Sequence, residues 1–126
     1  MPLTLWIAAG GAIGAAARHL VNVGTGRFLG HGFPYGTITV NVVGSLVMGL
    51  LIGTMALKWS ASQEMRAFLT TGMLGGFTTF SAFSLDFATL IERKAHGLAV
   101  VYAAGSVGVS LLAIFAGLWL MRWALA

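Results

Sequence analysis

The sequence predicts an all-α membrane protein whose four transmembrane helices form a single domain over residues 1–126, the third helix being broken. Of its 126 residues 58% are hydrophobic and 8% are charged, whereas soluble domains carry about 25% charged residues. Its mean hydropathy is +0.92. A hydrocarbon core needs about 20 helical residues per crossing, so this length leaves no room for a soluble domain. We expect spans at about 3–21, 35–57, 67–91 and 98–121.

The first span contains Gly10 and Gly14, whose GxxxG spacing allows a neighbouring helix backbone to approach closely. No basic residue precedes its apolar core, so we interpret it as a retained helix and not as a signal peptide. Arg18, near its end, is expected either to extend towards the lipid headgroups or to line a polar vestibule. The glycines of residues 22–34 predict an irregular loop.

The second span repeats the GxxxG spacing at Gly49 and Gly53 and contains a single amide side chain, that of Asn41. An unpaired amide in hydrocarbon costs several kcal/mol, so Asn41 must face protein, water or a ligand. Two interpretations stay open for it, a structural hydrogen bond between helices and a contact with a transported ligand.

The third span is centred on residues 72–84, GMLGGFTTFSAFS. The adjacent Gly75 and Gly76 cost roughly 2 kcal/mol of helix propensity relative to two alanines, which predicts a break at this pair. Carbonyl groups freed by such a break attract cations, and those near Gly75 and Thr78 are the candidates. Asp86 follows the break and lies either at the solvated interface or in a wet cavity at the mouth of a pathway.

The fourth span places Tyr102, Ser106 and Ser110 four residues apart, so that three hydroxyl groups share one helix face. A serine hydroxyl in a helix often bonds back to the carbonyl at i−4. Three hydroxyls in a row, led by a tyrosine, favour a polar track instead.

The basic residues predict insertion in both orientations. One side of the membrane receives Lys58, Arg66 and Arg122, and the other receives Arg27, Arg93 and Lys94, with Arg18 at its edge. Orientation normally follows an excess of Lys and Arg on the cytoplasmic side. Here neither side has a clear excess of basic residues. A chain inserted both ways can pair with an inverted copy of itself, as inverted repeats do. We therefore expect an antiparallel, dual-topology homodimer whose close contacts come from the GxxxG seams.

Other partners are not expected. The isoelectric point of about 10.4 rests on 7 basic against 3 acidic residues scattered among the loops, which does not resemble a nucleic-acid-binding patch. The chain has no cysteine and therefore no thiolate chemistry or disulfide framework. His19, His31 and His96 lack metal-ligand spacing and are interpreted as interfacial residues.

The residues around the predicted break suit a small anion. Aromatic rings have positive edges, which Phe80 and Phe83 could present to such an ion, although phenylalanines at helical spacing are usually packing residues. Further neutral groups accompany them, namely the Asn41 amide and the hydroxyls of Thr79, Ser81, Ser106 and Ser110. Because no Lys or Arg lies in mid-span, an anion held there could also leave.

Three motifs then indicate a family: GGAIGAAARH from Gly10 to His19, PYGTITVNVVGS from Pro34 to Ser45, and GMLGGFTTFSAFS from Gly72 to Ser84. Together with the spacing of hydroxyl residues in the fourth span, they cover nearly the whole chain. On these motifs the sequence resembles the Fluc (CrcB-type) fluoride channels of bacteria.

The resemblance implies a fluoride-selective channel of the bacterial plasma (inner) membrane that exports cytoplasmic fluoride by passive electrodiffusion. It implies an antiparallel homodimer with two pores and a central structural sodium ion (Na+). The residues that match the family's pore, vestibule and sodium-site positions are Phe80, Phe83, Asn41, Tyr102, Ser106 and Ser110 in the pore, Arg18 in the vestibule, and the main-chain carbonyls of Gly75 and Thr78 at the sodium ion. His19 stands where the family often has Tyr, and Asp86, near the pore mouth, stands where it usually has Glu.

Two other functions fit the composition less well. A small dual-topology multidrug exporter would want a membrane-embedded glutamate in its first span, and residues 3–21 contain no acidic residue. A non-conducting membrane assembly subunit would account for the glycines but would leave the face of Asn, Ser and Tyr side chains unused.

Overall fold

The computed structural model describes residues 2–125, which are helical apart from short connections. The helices are α1 (Leu3–Leu29), α2 (Tyr35–Leu57), α3 (residues 63–77), α4 (Ser81–Glu92) and α5 (His96–Leu125). The third helix of the predicted fold is thus interrupted, and α3 and α4 are its two segments.

Within residues 2–125, three helices are long and apolar enough to cross a membrane: Tyr35–Leu57, Gln63–Glu92 with its interruption, and His96–Leu125. The prediction of an all-helical membrane protein is confirmed to this extent. Helix α1 has 27 residues and so has the length, but Arg18, His19 and its glycines make it less apolar. Its crossing of the membrane stays a prediction.

Helix α1 is longer than the sequence predicted. The expected irregular loop over residues 22–34 is wrong for most of its length, because the helix continues to Leu29. A methyl group on Gly24 would contact nothing within 4 Å, so this glycine costs the helix only its propensity, about 1 kcal/mol. The helix ends at Gly30, whose φ of 81° favours glycine. The fourth predicted span is longer too, since α5 covers His96–Leu125.

The GxxxG glycines of α1 face α3. A Cβ atom on Gly10 would collide with the carbonyl oxygen of Phe68, and one on Gly14 with that of Met73. In the other direction, a Cβ atom on Gly76 would lie 2.7 Å from the carbonyl oxygen of Gly11. The close backbone approach expected of this seam is confirmed, and the partner helix belongs to the same chain.

Glycines also join α2 to α5. A Cβ atom on Gly49 would lie 3.1 Å from the Cα atom of Gly117, and one on Gly53 would lie 2.7 Å from the Cβ atom of Met121. Both GxxxG seams are therefore filled by helices of one chain. The expectation that they provide the contact between two copies is wrong, because the surfaces they form are already covered.

The interruption lies a few residues beyond the predicted position. Helix α3 widens into a π-helix over Ala67–Leu74 and returns to α-geometry at Gly75–Phe77, so both glycines of the pair are helical. The backbone leaves the helix at Thr78, which is extended with φ −83° and ψ 161°, and α4 begins at Ser81. The prediction of a break at Gly75–Gly76 is therefore wrong in position. A glycine stands at position 76 because α3 approaches α1 closely there.

Candidate functional site

A cavity of about 410 Å³ lies beside the interruption, between α2, α4 and α5. Its lining brings together most of the residues that the sequence singled out: Asn41, Thr78, Thr79, Phe80, Phe83, Ser106 and Ser110. Gly44, Ser45 and apolar side chains of α2, α3 and α5 complete the wall, and no Lys, Arg, Asp or Glu among residues 2–125 lines it. Of the other predicted site residues, Ser81, Tyr102, Asp86, Arg18 and Gly75 do not line the cavity.

Asn41 makes two hydrogen bonds to the main chain of one residue, Thr79. Its Nδ2 donates to the Thr79 carbonyl oxygen at 3.0 Å, and its Oδ1 accepts from the Thr79 N–H at 2.8 Å. Because one backbone group can only accept and the other only donates, the orientation of the amide is determined. The second hydrogen on Nδ2 has no protein acceptor within residues 2–125 and remains available to the cavity.

Thr79 in turn caps helix α4. Its Oγ1 accepts from the N–H of Ala82 at 3.1 Å and lies 3.4 Å from Oγ of the exposed Ser81. A threonine hydroxyl at this position satisfies one of the unpaired N–H groups of a helix start. The preceding hydroxyl, Thr78 Oγ1, donates to the carbonyl of Leu74 at 3.0 Å. A Cβ atom on Gly44 would collide with the Thr78 side chain, so this glycine lets the interruption approach α2.

Two carbonyl groups at the interruption lack their helical donors. In a continuous α-helix the N–H groups of Thr79 and Ala82 would be donated to the carbonyls four residues earlier, those of Gly75 and Thr78. Instead they are donated to Asn41 Oδ1 and Thr79 Oγ1. The carbonyls of Gly75 and Thr78 therefore carry partial negative charge without a helical donor, which is an environment suited to a cation.

The two phenylalanines differ in how they are held. Phe80 and Phe83 have ring centroids 5.5 Å apart, inclined at 46°, and Phe83 also packs on Tyr102, with centroids 5.2 Å apart. Phe83 thereby joins the buried cluster of Leu90, Ala99 and Tyr102. Phe80, in contrast, is 76% exposed. Its ring is available to a ligand or to another surface, whereas the ring of Phe83 is also a packing group.

The fully buried Tyr102 is bound to Asp86 outside the cavity lining. Its hydroxyl donates to Asp86 Oδ2 at 3.1 Å, and Thr37 Oγ1 donates to the same oxygen at 2.7 Å. Asp86 is half-buried and therefore not a fully solvated interfacial residue. Thr37 was not among the predicted site residues, although it lies four positions before Asn41 and hence shares its face of α2.

Ser106 and Ser110 behave differently from ordinary helical serines. Their Oγ atoms are buried and have no hydrogen-bond partner in the part of the chain that the structure describes. Neither hydroxyl therefore bonds back to the carbonyl at i−4. A buried hydroxyl left unpaired costs about 1–3 kcal/mol, so two of them lining one cavity indicate donors that serve a ligand.

Arg18 lies inside α1 and not at its end, because the helix continues to Leu29. It is half-buried and does not line the cavity. The structure brings together α2, α4 and α5 at the candidate site but does not bring Arg18 into it, and the role of this residue in a vestibule stays a prediction.

Comparison with known proteins points to one family. A family model described as "CrcB-like protein, Camphor Resistance (CrcB)" matches residues 5–118. A protein of Chelativorans sp. (strain BNC1) named "Fluoride-specific ion channel FluC" is 58% identical over 113 residues, 90% of each chain. A protein of the same name from Rhodospirillum centenum is 53% identical over 126 residues, 100% of both chains.

A third relative, from Agrobacterium fabrum (strain C58 / ATCC 33970), has the same name and is 54% identical over 116 residues, covering 92% of this chain and 93% of the relative. The family consists of ion channels, and the chain is not an enzyme. Since the family model spans most of the sequence and these relatives match over nearly their whole length, the chain belongs to the CrcB-like family of fluoride-specific ion channels.

Proposed function

We propose that the protein is a fluoride-selective channel that exports cytoplasmic fluoride by passive electrodiffusion across the bacterial plasma membrane. The observation that carries this proposal is the pair of buried, unpaired hydroxyls of Ser106 and Ser110 in the cavity beside the helix interruption. The names of the relatives support fluoride as the ion.

The chemistry of the cavity suits a small, strongly hydrated anion. Hydroxyl hydrogens, the second Nδ2 hydrogen of Asn41 and the edge of the Phe80 ring carry partial positive charge. A lysine or arginine in the wall would hold fluoride tightly, and none lines it. Neutral donors replace part of the hydration shell yet allow the ion to leave, which conduction requires.

The proposed working unit is an antiparallel homodimer with two pores. In each chain, α1 and the three more apolar helices cross the membrane, which gives four spans. A residue in a pore wall should be enclosed by protein, but Phe80 is 76% exposed in the single chain. This exposure supports an assembly in which a second chain covers the ring. The nearly equal distribution of basic residues supports insertion in both orientations. A second, inverted copy would cover the exposed ring and enclose the cavity.

A structural sodium ion is the proposed metal, bound by the main-chain carbonyls of Gly75 and Thr78. The fit to this chain is good because both carbonyls lack their helical donors. Hard monovalent cations prefer oxygen ligands, and carbonyl groups at helix breaks supply them in membrane proteins. The ion would supply positive charge between the interruptions of the two copies and so hold them together.

The structure offers the two alternative functions little support. A multidrug exporter would need a carboxylate in its binding site, and neither α1 nor the cavity wall contains an acidic residue. A non-conducting assembly subunit would leave the buried hydroxyls of Ser106 and Ser110 without a function.

Flux measurement tests the proposal. Purified protein is reconstituted in liposomes loaded with potassium fluoride or potassium chloride, and valinomycin starts efflux, which ion-selective electrodes record. We expect rapid fluoride efflux and almost no chloride efflux. Equal efflux of the two ions, or efflux of neither, would contradict the channel proposal. The Thr54→Val variant is a matched control, because the Thr54 hydroxyl bonds within α2 to the Leu50 carbonyl at 2.7 Å away from the cavity.

A further inference from the structure

Two side-chain oxygens accept main-chain N–H groups at the interruption. Asn41 Oδ1 accepts the Thr79 N–H at 2.8 Å and Thr79 Oγ1 accepts the Ala82 N–H at 3.1 Å. These two N–H groups are the ones that a continuous helix would donate to Gly75 and Thr78. The extended backbone at Thr78 frees both carbonyls, and the two side-chain oxygens hold the N–H groups that would compete for them in a continuous helix.

We propose that Asn41 and Thr79 are positioning residues for the cation site, acting through the main chain of the interruption without contacting the ion. This inference rests on the proposed sodium site. An N–H group and a cation compete for the same carbonyl oxygen. Removing the Asn41 acceptor leaves the Thr79 N–H unpaired, and removing the Thr79 hydroxyl leaves the Ala82 N–H unpaired. Either change favours a return of the interruption towards helical geometry, in which these N–H groups occupy the carbonyls of Gly75 and Thr78.

Asn41 also links the cation site to the anion cavity. One hydrogen of its amide donates to the Thr79 carbonyl at 3.0 Å, and the amide lines the cavity with its other hydrogen available. The bonds to Thr79 therefore set the direction of the N–H that faces the cavity. The same side chain that holds the main chain of the interruption orients an anion donor, so loss of Asn41 affects both ions.

A matched pair of variants at Thr79 gives the first test. Thr79→Val keeps the branched shape and loses the hydroxyl, whereas Thr79→Ser keeps the hydroxyl. Thermal unfolding of the purified protein in detergent is followed as NaCl replaces choline chloride at constant ionic strength. We expect the sodium concentration that gives half of the maximal rise in unfolding temperature to increase roughly tenfold or more in Thr79→Val, as for a lost carbonyl ligand. Thr79→Ser and the control Thr54→Val keep the wild-type midpoint.

Hydrogen exchange gives a second readout that does not depend on sodium. Asn41→Leu removes the acceptor of the Thr79 N–H while keeping a side chain of similar size. Mass spectrometry of the peptide containing Thr79 is expected to show faster amide exchange in Asn41→Leu than in wild type. Ser106→Ala, which alters the same cavity without touching Thr79, keeps the wild-type exchange. If Asn41→Leu does not fold, the comparison of Thr79→Val with Thr79→Ser still tests the positioning role.

The possible results separate this inference from the function on which it rests. A wild-type sodium midpoint in Thr79→Val and Asn41→Leu, while the native protein responds to sodium, would overturn the positioning role alone. A native protein that passes fluoride but is not stabilised by sodium would overturn both the sodium site and the positioning role. Absence of fluoride flux together with a raised sodium midpoint in Thr79→Val would contradict the channel and support the positioning role.

Discussion

Tyr102 donates its hydroxyl hydrogen to Asp86 across 3.1 Å, which joins α5 to α4 at a point where the tyrosine is fully buried. Thr37 donates to the same carboxylate oxygen from α2 at 2.7 Å. One half-buried carboxylate therefore accepts from two other helices. The hydroxyl expected to lead the polar track of α5 is used for this junction.

Asp86→Ala should destabilise the protein, because it leaves two buried hydroxyls without their acceptor. We expect a loss of about 1–3 kcal/mol, measured as a lower midpoint of thermal unfolding in detergent. Glu92→Gln is the control, since Glu92 is exposed at the end of α4 and its loss should change stability by about 0.5 kcal/mol or less. Equal midpoints for Asp86→Ala and wild type would contradict a role of this junction in stability.

Removing the hydroxyl of Ser106 or Ser110 should reduce fluoride flux without reducing stability. An unpaired buried hydroxyl contributes no hydrogen bond within the protein, so its loss removes a desolvation cost and leaves the packing intact. We expect Ser106→Ala and Ser110→Ala to unfold at or above the wild-type temperature while liposome flux falls. A variant that loses stability and keeps its flux would show that the hydroxyl is structural.

Phe80→Ile and Phe83→Ile should separate ion conduction from packing. Both lose a ring edge, so flux is expected to fall about tenfold or more in each, which corresponds to about 1.4 kcal/mol. Only Phe83→Ile loses ring contacts with the buried Tyr102, and only this variant should show a clear loss of stability in the monomeric chain. Unaltered flux in Phe80→Ile would remove its ring from the pore.

Gly10→Ala and Gly24→Ala, both in α1, should have opposite effects. A Cβ atom on Gly10 would collide with the carbonyl oxygen of Phe68, whereas one on Gly24 would meet nothing within 4 Å. Gly10→Ala must therefore force α1 away from α3, and we expect it to cost more than about 2 kcal/mol or to abolish folding. Gly24→Ala should stabilise by up to about 1 kcal/mol through helix propensity. The yield of monodisperse protein and the unfolding midpoint measure both.

The sequence was sufficient to predict what lies within one helix or one short motif. Hydropathy and length predicted the four helical segments, although not the extension of α1 to Leu29, and the glycine pair at Gly75 and Gly76 predicted that the third would be interrupted. The position of the interruption was not accessible, because Gly76 is explained only by its approach to Gly11 on another helix. The pairing of Asn41 with Thr79 joins residues separated by 38 positions, and no local pattern specifies such a pair.

The glycine contacts of α1 with α3 and of α2 with α5 bear on the order of assembly. Each chain packs its helices with its own glycines, so the separate chain can complete its tertiary structure in the bilayer before it meets another. Helix packing that is local to one chain is independent of how that chain was inserted. If the proposed antiparallel dimer forms, a newly made chain would adopt its orientation alone, and pairing with an inverted copy would be a later, lateral step between chains whose helices are already packed.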